Sequence, residues 1–322
     1  MNDQHLTDSL AKSLSASLSS AQPGATAIPA RADIVALRQL TRDETRARIN
    51  RFLNTIEESG TCPTDRAHVL DRGDRSLVHL PEGARATVYH ASGALEYRSG
   101  LAPFAAPFER LEQSAVLVRR LGEAAERLKL ASWSEQGGSL AFERLWQTKA
   151  QGADREERVS QPLLVRATGA WRHAVAGIPV LGAASAALTL AGDGRVDGLS
   201  VNVRPLLGEV LDSAPIIGQD QAIRQVVERL IGLLGRARDP LPADVIDYAL
   251  MQFGYLDTGR RKSQRLLAPA FVAQIALRHK QERQAYVIAV HATARPYMEL
   301  PLYGVDSVLT ATRGEHCKPA LA

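Results

Sequence analysis

His79, His90 and Glu96 are the residues whose types and spacing come nearest to a metal set. They fall in a stretch rich in Val, Leu, Thr and Tyr, so neighbouring strands can carry two imidazoles and a carboxylate, a usable combination for zinc. None of the short fixed spacings of a helical or knuckle site joins them, and histidines scattered over strands are ordinarily packing or surface residues, so no metal is expected. Trp171 and His173 flank Arg172, an aromatic with two cationic neighbours; the group either contacts a ligand or, as the sequence favours, places the ring in a core. Arg260, Arg261, Lys262 and Arg265 form the densest positive patch. Such a patch steers acidic proteins, phosphate groups or anionic lipid, or simply keeps a loop solvated. Cys62 and Cys317 are the only cysteines, and pairing them requires an oxidising compartment, so unpaired thiols are the favoured reading.

No hydrolase elbow, P-loop, GxGxxG, HExxH or CxxC occurs. Nucleophilic, phosphate-cradling and zincin chemistry therefore lack their usual positional supports, and no cofactor is expected. Composition narrows the classes further. The 322 residues are 45% hydrophobic and 23% charged, ordinary globular material. A net charge of +4 over that length is far from the dense basic stripe of a nucleic-acid binder, so no nucleic-acid partner is expected. No run approaches the roughly 18 to 20 apolar residues of a membrane span. The first 23 residues show no basic region followed by an apolar one, which predicts a cytoplasmic location by default.

The elements that must position these residues follow from local pattern. Residues 1–33 read as a disordered tail, with Leu6, Leu10, Leu14 and Leu18 spaced to form a helix only against a partner. Thr41 and Glu44 make a capping box, with Ile49, Phe52, Leu53 and Ile56 as the apolar face behind it and Gly60 as the stop. Segments 76–80, 85–90 and 94–98 read as a small antiparallel meander, and 107–130 as a helix. Segments 161–167, 170–176, 185–191 and 195–204 read as strands, with Asp193-Gly194 supplying a type I′ turn. A helix opened by Asp220 and closed by Gly235 comes next, then strands at 248–256, 267–279 and 285–293. Residues 296–302 read as an extended segment able to dock along an edge.

The stretch Gly177-Ile178-Pro179-Val180-Leu181-Gly182, followed by an alternating strand, the Asp193-Gly194 turn and a return strand to Arg204, resembles the core hairpin of PepSY-type domains and of the propeptides of thermolysin-like metalloproteases. Gly254-Tyr255, Gln264, Leu267 and residues 269–272 resemble a second element of larger relatives. The resemblance covers roughly residues 160–295 and implies a structural turn at Gly177, Pro179, Gly182, Asp193 and Gly194, no catalytic residues, and an extracytoplasmic setting.

Together these observations predict an α+β protein of two small lobes, each an antiparallel sheet packed against a helix. The expected divisions are a tail over 1–33, lobes over 34–152 and 153–310, and a C-terminal tail over 311–322. The expected function is non-enzymatic protein binding, as an inhibitor, chaperone or regulator acting in trans through sheet or groove contacts. The binding candidates are Arg260, Arg261, Lys262, Arg265, Trp171 and His173. The competing expectation is a ligand-binding protein or enzyme with a pocket in a curved sheet.

Overall fold

The computed structural model describes all residues except 1, 20–26, 135–136, 154, 157, 183–184, 235–245, 280–281 and 301–322. In chain order its elements are helix α1 (Asn2–Ser19), strand β1 (Arg31–Leu37), helix α2 (Arg42–Glu58), strands β2 (His68–Asp71), β3 (Arg75–His79), β4 (Arg85–Tyr89) and β5 (Leu95–Arg98), and helix α3 (Ser114–Arg127). Strands β6 (Gly138–Ala150), β7 (Leu163–Val175), β8 (Ile178–Leu181), β9 (Ala186–Leu190), β10 (Val196–Val201) and β11 (Leu206–Pro215) follow. Helix α4 (Gln219–Leu234) and strands β12 (Ile246–Leu256), β13 (Leu266–Leu267), β14 (Pro269–His279) and β15 (Glu282–His291) complete them. The fold is α+β, and the described strand pairs are antiparallel. No helix among the described residues is long and apolar enough to cross a membrane.

The chain forms two compact units, and neither is contiguous in sequence. Unit 1 comprises Met1–Ile34, Val210–Leu256 and Ala268–Ala322; unit 2 comprises Val35–Glu209 and Asp257–Leu267. This departs from the expected division at residue 153.

Unit 1 is built on the meander β12–β14–β15, in which Phe253 faces Phe271 with ring centroids 5.4 Å apart. Helix α1 packs on α4 and β12, and α4 packs on β15. The first residues are therefore not a disordered tail in the described structure: Leu10, Leu14 and Leu18 are buried, because the stripe that every fourth leucine makes finds its apolar partner in α4, some 200 residues later. The sequence pattern puts Ala222, Val226, Val227, Leu230, Leu233 and Leu234 on the buried side of α4; all are buried except Leu233, which is half-buried, while Asp220 lies inside the first turn and Gly235 is outside the described residues.

Unit 2 is built on a sheet ordered β2–β3–β4–β5–β10–β9–β7, with β6 and β8 also paired to β7; apart from it, Val35 and Ala36 of β1 pair with β13. The expected meander forms as β3, β4 and β5, and its open side pairs with β10, Tyr97 opposite Leu199. That pairing merges what local pattern divides into two lobes, since two exposed sheet edges satisfy each other's main chain when joined. Ile49, Phe52 and Ile56 of α2, Leu117 and Leu121 of α3, and Val88, Leu95, Leu188 and Leu199 of the sheet share one core. Helix α2 begins as expected: the Thr41 hydroxyl accepts from Glu44 N–H at 3.2 Å, and Glu44 accepts from Thr41 N–H at 2.8 Å.

Three local expectations are corrected. Helix α3 starts at Ser114 rather than 107, because Phe108 N–H donates to Leu164 O and Gly192 N–H to Ala106 O, which fixes that segment to the sheet. The two strands expected over 161–176 are the single strand β7. The β9–β10 turn is not type I′, since Gly194 has φ +84° while Asp193 does not share a positive φ. Gly194 N–H donates to Ala191 O, Ala191 N–H donates to Arg195 O, and Asp193 Oδ1 accepts from Arg195 N–H, a longer loop with one left-handed residue.

Two measurements check this packing. Leu14→Ala should lower unfolding free energy by about 2 to 5 kcal/mol, the cost of emptying a fully buried leucine site, whereas a mobile tail would give no change in a denaturant titration. A Cβ on Gly194 meets nothing within 4 Å, but one on Gly192 would stand 2.2 Å from Pro107 O. Gly194→Ala should therefore cost about 1 kcal/mol of backbone strain, and Gly192→Ala about 3 kcal/mol or more, read as separate shifts in denaturation midpoint.

Candidate functional site

In unit 2, β7 pairs with β6 along a ribbon running from Gly138 opposite Val175 to Ala150 opposite Leu163. Trp171 and His173, two residues apart on β7, share the face turned to the core and are 8% and 3% exposed. Phe142 lies across from Trp171 in an edge-to-face contact, centroids 5.5 Å apart, and Leu140 lies across from His173. Neither Trp171 nor His173 is open to a partner. The strand over them is.

Sequence reading missed β6, although its Leu140, Phe142, Leu145 and Trp146 among polar residues carry a strand signal. The signal is broken by a bulge: Phe142 pairs with Trp171 and Arg144 with Ala170, leaving Glu143 as the extra residue. Glu143 instead meets Arg172, whose Nη2 lies 3.0 Å from Oε1 and 2.9 Å from Oε2. Past the bulge the alternation is shifted. Leu145 faces the core opposite Gly169, and Trp146, opposite Thr168, stands on the other face with the Arg144 guanidinium 5.6 Å from its ring centroid. Phe142 is 40% and Trp146 44% exposed, and Val159 and Leu163 at the far end of the ribbon are exposed as well. Among the described residues no strand pairs with the outer edge of β6. Along its thirteen residues, every second one turns its N–H and C=O to that edge.

The Gly177 and Pro179 motif forms the β7–β8 turn. Ala176 and Gly177 have φ of +48° and +79°, and Pro179 sits opposite Ala174. Gly182 closes β8 against the main chain of Asp257, whose carbonyl would lie 3.0 Å from an added Cβ.

The basic loop, residues 257–265, is organised by a cation the sequence reading did not single out. Arg204, nearly fully buried, donates to Asp257 through Nε and Nη2 at 3.1 and 3.2 Å, to Gly259 O at 2.7 Å, to Lys262 O at 3.0 Å and to Ala91 O at 3.3 Å. Arg260 pairs with Glu96 and lies 5.1 Å from the Tyr89 ring centroid, with Arg261 5.8 Å from the same ring. Lys262 and Arg265 are exposed. Half of the patch is thus held against its own protein.

His79, His90 and Glu96 each have other partners. Glu96 is paired with Arg260, His90 bonds Ser76 and Gly73, and His79 lies opposite Arg85. Among the described residues no three His, Cys, Asp or Glu side chains are placed to hold a metal ion. Cys62 is a buried free thiol beside Tyr97, its ionisation pushed up by burial, and Cys317 lies outside the described residues, as do residues 301 and 302 of the segment read as extended.

No protein-family model matches the chain, and no curated protein matches it. Among solved structures, an uncharacterized protein from Eubacterium rectale is similar over 85% of this chain and 88% of its own, with TM-score 0.51 and 9% identity. At that identity the likeness speaks of the fold alone.

Burial lowers the His173 imidazole to about 4 against an ordinary 6.5, with Asp257 pulling weakly the other way, and Nε2 has no hydrogen-bond partner. The native state keeps this ring neutral while the unfolded chain takes up a proton below 6.5. Its contribution is therefore complete above pH 6.5 and is lost as pH falls towards 4, by up to about 3 kcal/mol. Partly buried His291, also lowered by burial, acts in the same direction. Wild type and His173→Gln compared by denaturant titration should show a flatter pH profile in the variant; parallel profiles would place the ring in contact with water.

Proposed function

We propose that this chain is a non-enzymatic protein-binding module that accepts an extended segment of another protein as an added strand along β6. The observation that carries the reading is the unpaired outer edge of β6, thirteen residues long and flanked on its two faces by exposed Phe142 and Trp146. In strand addition the main-chain ladder supplies affinity, and pockets or rings on alternate positions supply specificity. Arg144 and Lys149 are exposed on the same strand. An edge-to-edge contact between two copies would bring like charges together, whereas an extended segment alternating apolar and acidic residues complements both the rings and the cations.

The resemblance to PepSY-type domains, carried by the Gly177–Gly182 turn and the β9–β10 hairpin, supports a trans-acting inhibitor, chaperone or regulator as the kind of module. It also supports reading the sheets of the two units as PepSY-like lobes. The basic loop plays a secondary part, with Lys262 and Arg265 steering an acidic partner.

A photo-cross-linking residue in place of Trp146 should capture one protein from source cells, and hydrogen exchange should then show the amides along β6 slowed in the complex. Trp146→Lys should weaken that complex by about tenfold or more, since aromatic anchors at an interface commonly cost over 1 kcal/mol to remove. Unchanged exchange along β6 with the partner bound, or an unaltered affinity in the variant, would overturn the reading.

A further inference from the structure

The first turns of α2 form one wall of a cleft in unit 2 that strand addition at β6 does not use. The β2–β3 hairpin forms the other wall, and the cleft holds about 380 Å³. This lies within the range of small-molecule sites, roughly 300 to 1,000 Å³. Its chemistry is divided. Leu40, Ile49 and Val69 give it apolar sides, Arg42 and Arg46 stand at its rim, and Ser76 and His90 close its floor.

The floor is held by hydrogen bonds of its own. His90 Nδ1 lies 2.9 Å from the Gly73 carbonyl, which only accepts, so Nδ1 carries the hydrogen. In the neutral ring Nε2 is then an acceptor, and the Ser76 hydroxyl 2.9 Å away donates to it. His90 N–H donates to Asp74 O as well. Both ring nitrogens are thus engaged, and the backbone beside them is fixed by the bond to Asp74. Asp71, the one carboxylate on the lining, has Oδ1 engaged by Gly73 N–H at 2.8 Å.

The rim is the opposite case. Arg42 and Arg46 are exposed, four residues apart on one face of α2, and among the described residues neither forms an ion pair. Like charges at that spacing repel. An oxyanion between them relieves the repulsion and meets two planar, multiply donating groups. At the helix start Glu44 is engaged elsewhere, Oε2 by Thr41 and Oε1 by Arg38 at 3.6 Å.

We propose that this cleft is a binding site for a small molecule that joins an oxyanion, phosphate or carboxylate, to an apolar body. Arg42 and Arg46 take the oxyanion, and Leu40, Ile49 and Val69 take the apolar part above the Ser76–His90 floor. The site is distinct from the β6 edge, and its test does not depend on a protein partner.

Phenyl phosphate and inorganic phosphate, titrated into the full chain and followed by NMR, are the probes. Phenyl phosphate should saturate at millimolar concentration or below, about tenfold tighter than inorganic phosphate, and should move the amide signals of Asn50, Val69 and Ser76 and the ring signals of His90. Arg42→Gln with Arg46→Gln should weaken both probes by about tenfold or more. These side chains are exposed on a helix surface, so the variant should keep the wild-type thermal midpoint to within the effect of ordinary surface substitutions. Val69→Glu, at a position already 44% exposed, should also weaken both by repelling the anion. No saturation up to about 20 mM, well above the expected range, would overturn the proposal. So would equal affinity in wild type and the double variant, or signal changes confined to other parts of the chain.

Discussion

A guanidinium removed from water must find acceptors for its N–H groups, and unit 2 is arranged around three buried ones. Arg204 gathers Ala91, Asp257, Gly259 and Lys262. Arg166 bonds Asp197 at 2.6 Å and the carbonyls of Ala102, Ala105 and Val165. Arg48 bonds the carbonyls of Gly93 and Val203 and lies 4.9 Å from the Trp133 ring centroid. An unpaired buried charge is severely penalised, so each of these groups fixes the loops around it in one arrangement. The loops in turn set the ends of β4, β5, β7 and β10, which is how short strands with modest apolar content hold a single register.

This use of arginine explains the character of the basic loop. Four cations in six residues resemble a steering patch on paper. In the fold, the loop is a sleeve around Arg204, and its own carbonyls face inward to that guanidinium. Arg260 leans on Tyr89 and Glu96 for the same reason that Arg204 is buried: a delocalised, weakly hydrated cation packs on rings and carboxylates at low cost. Of the four cations only Arg260 is paired with a carboxylate, so the positive charge left for a partner is that of the exposed Arg261, Lys262 and Arg265.

The β6–β7 ribbon follows a different constraint. Trp171 is large enough that its ring lies over Gly169, where an added Cβ would meet it at 2.9 Å, and Phe142 closes over the same ring from the neighbouring strand. One bulge at Glu143 reconciles that packing with the rest of β6, and its consequence is to turn Trp146 outward beside Arg144. A long edge with outward rings invites pairing, and the charges and the bulge on it restrict what can pair. The ribbon thus combines an attractive main chain with selective side chains. The cleft at the start of α2 is lined by side chains of a helix and a hairpin, and its selectivity rests on the pairing of two guanidinium groups with an apolar wall.

Local pattern in the sequence determined much of the secondary structure. The Thr41–Glu44 box, the β3–β5 meander, the buried stripe of α4 and the strands around Gly177 and Gly194 are all set by interactions within a few residues, and such interactions are visible in a linear chain. Helix α1 was half legible: its leucine spacing was plain, but its order depends on α4, which no local rule can supply. The division into units, the joining of β5 to β10 and the shortened start of α3 depend on contacts between segments about a hundred or more residues apart, or on one hydrogen bond such as Phe108 to Leu164. Trp171 and His173 could be recognised as a pair on one face, yet whether that face meets solvent or core is decided by β6, whose alternation is interrupted by a single extra residue. Arg42, Arg46, Ser76 and His90 carry no linear motif at all, because a cleft lined from a helix and a hairpin exists only after the sheet has brought them together.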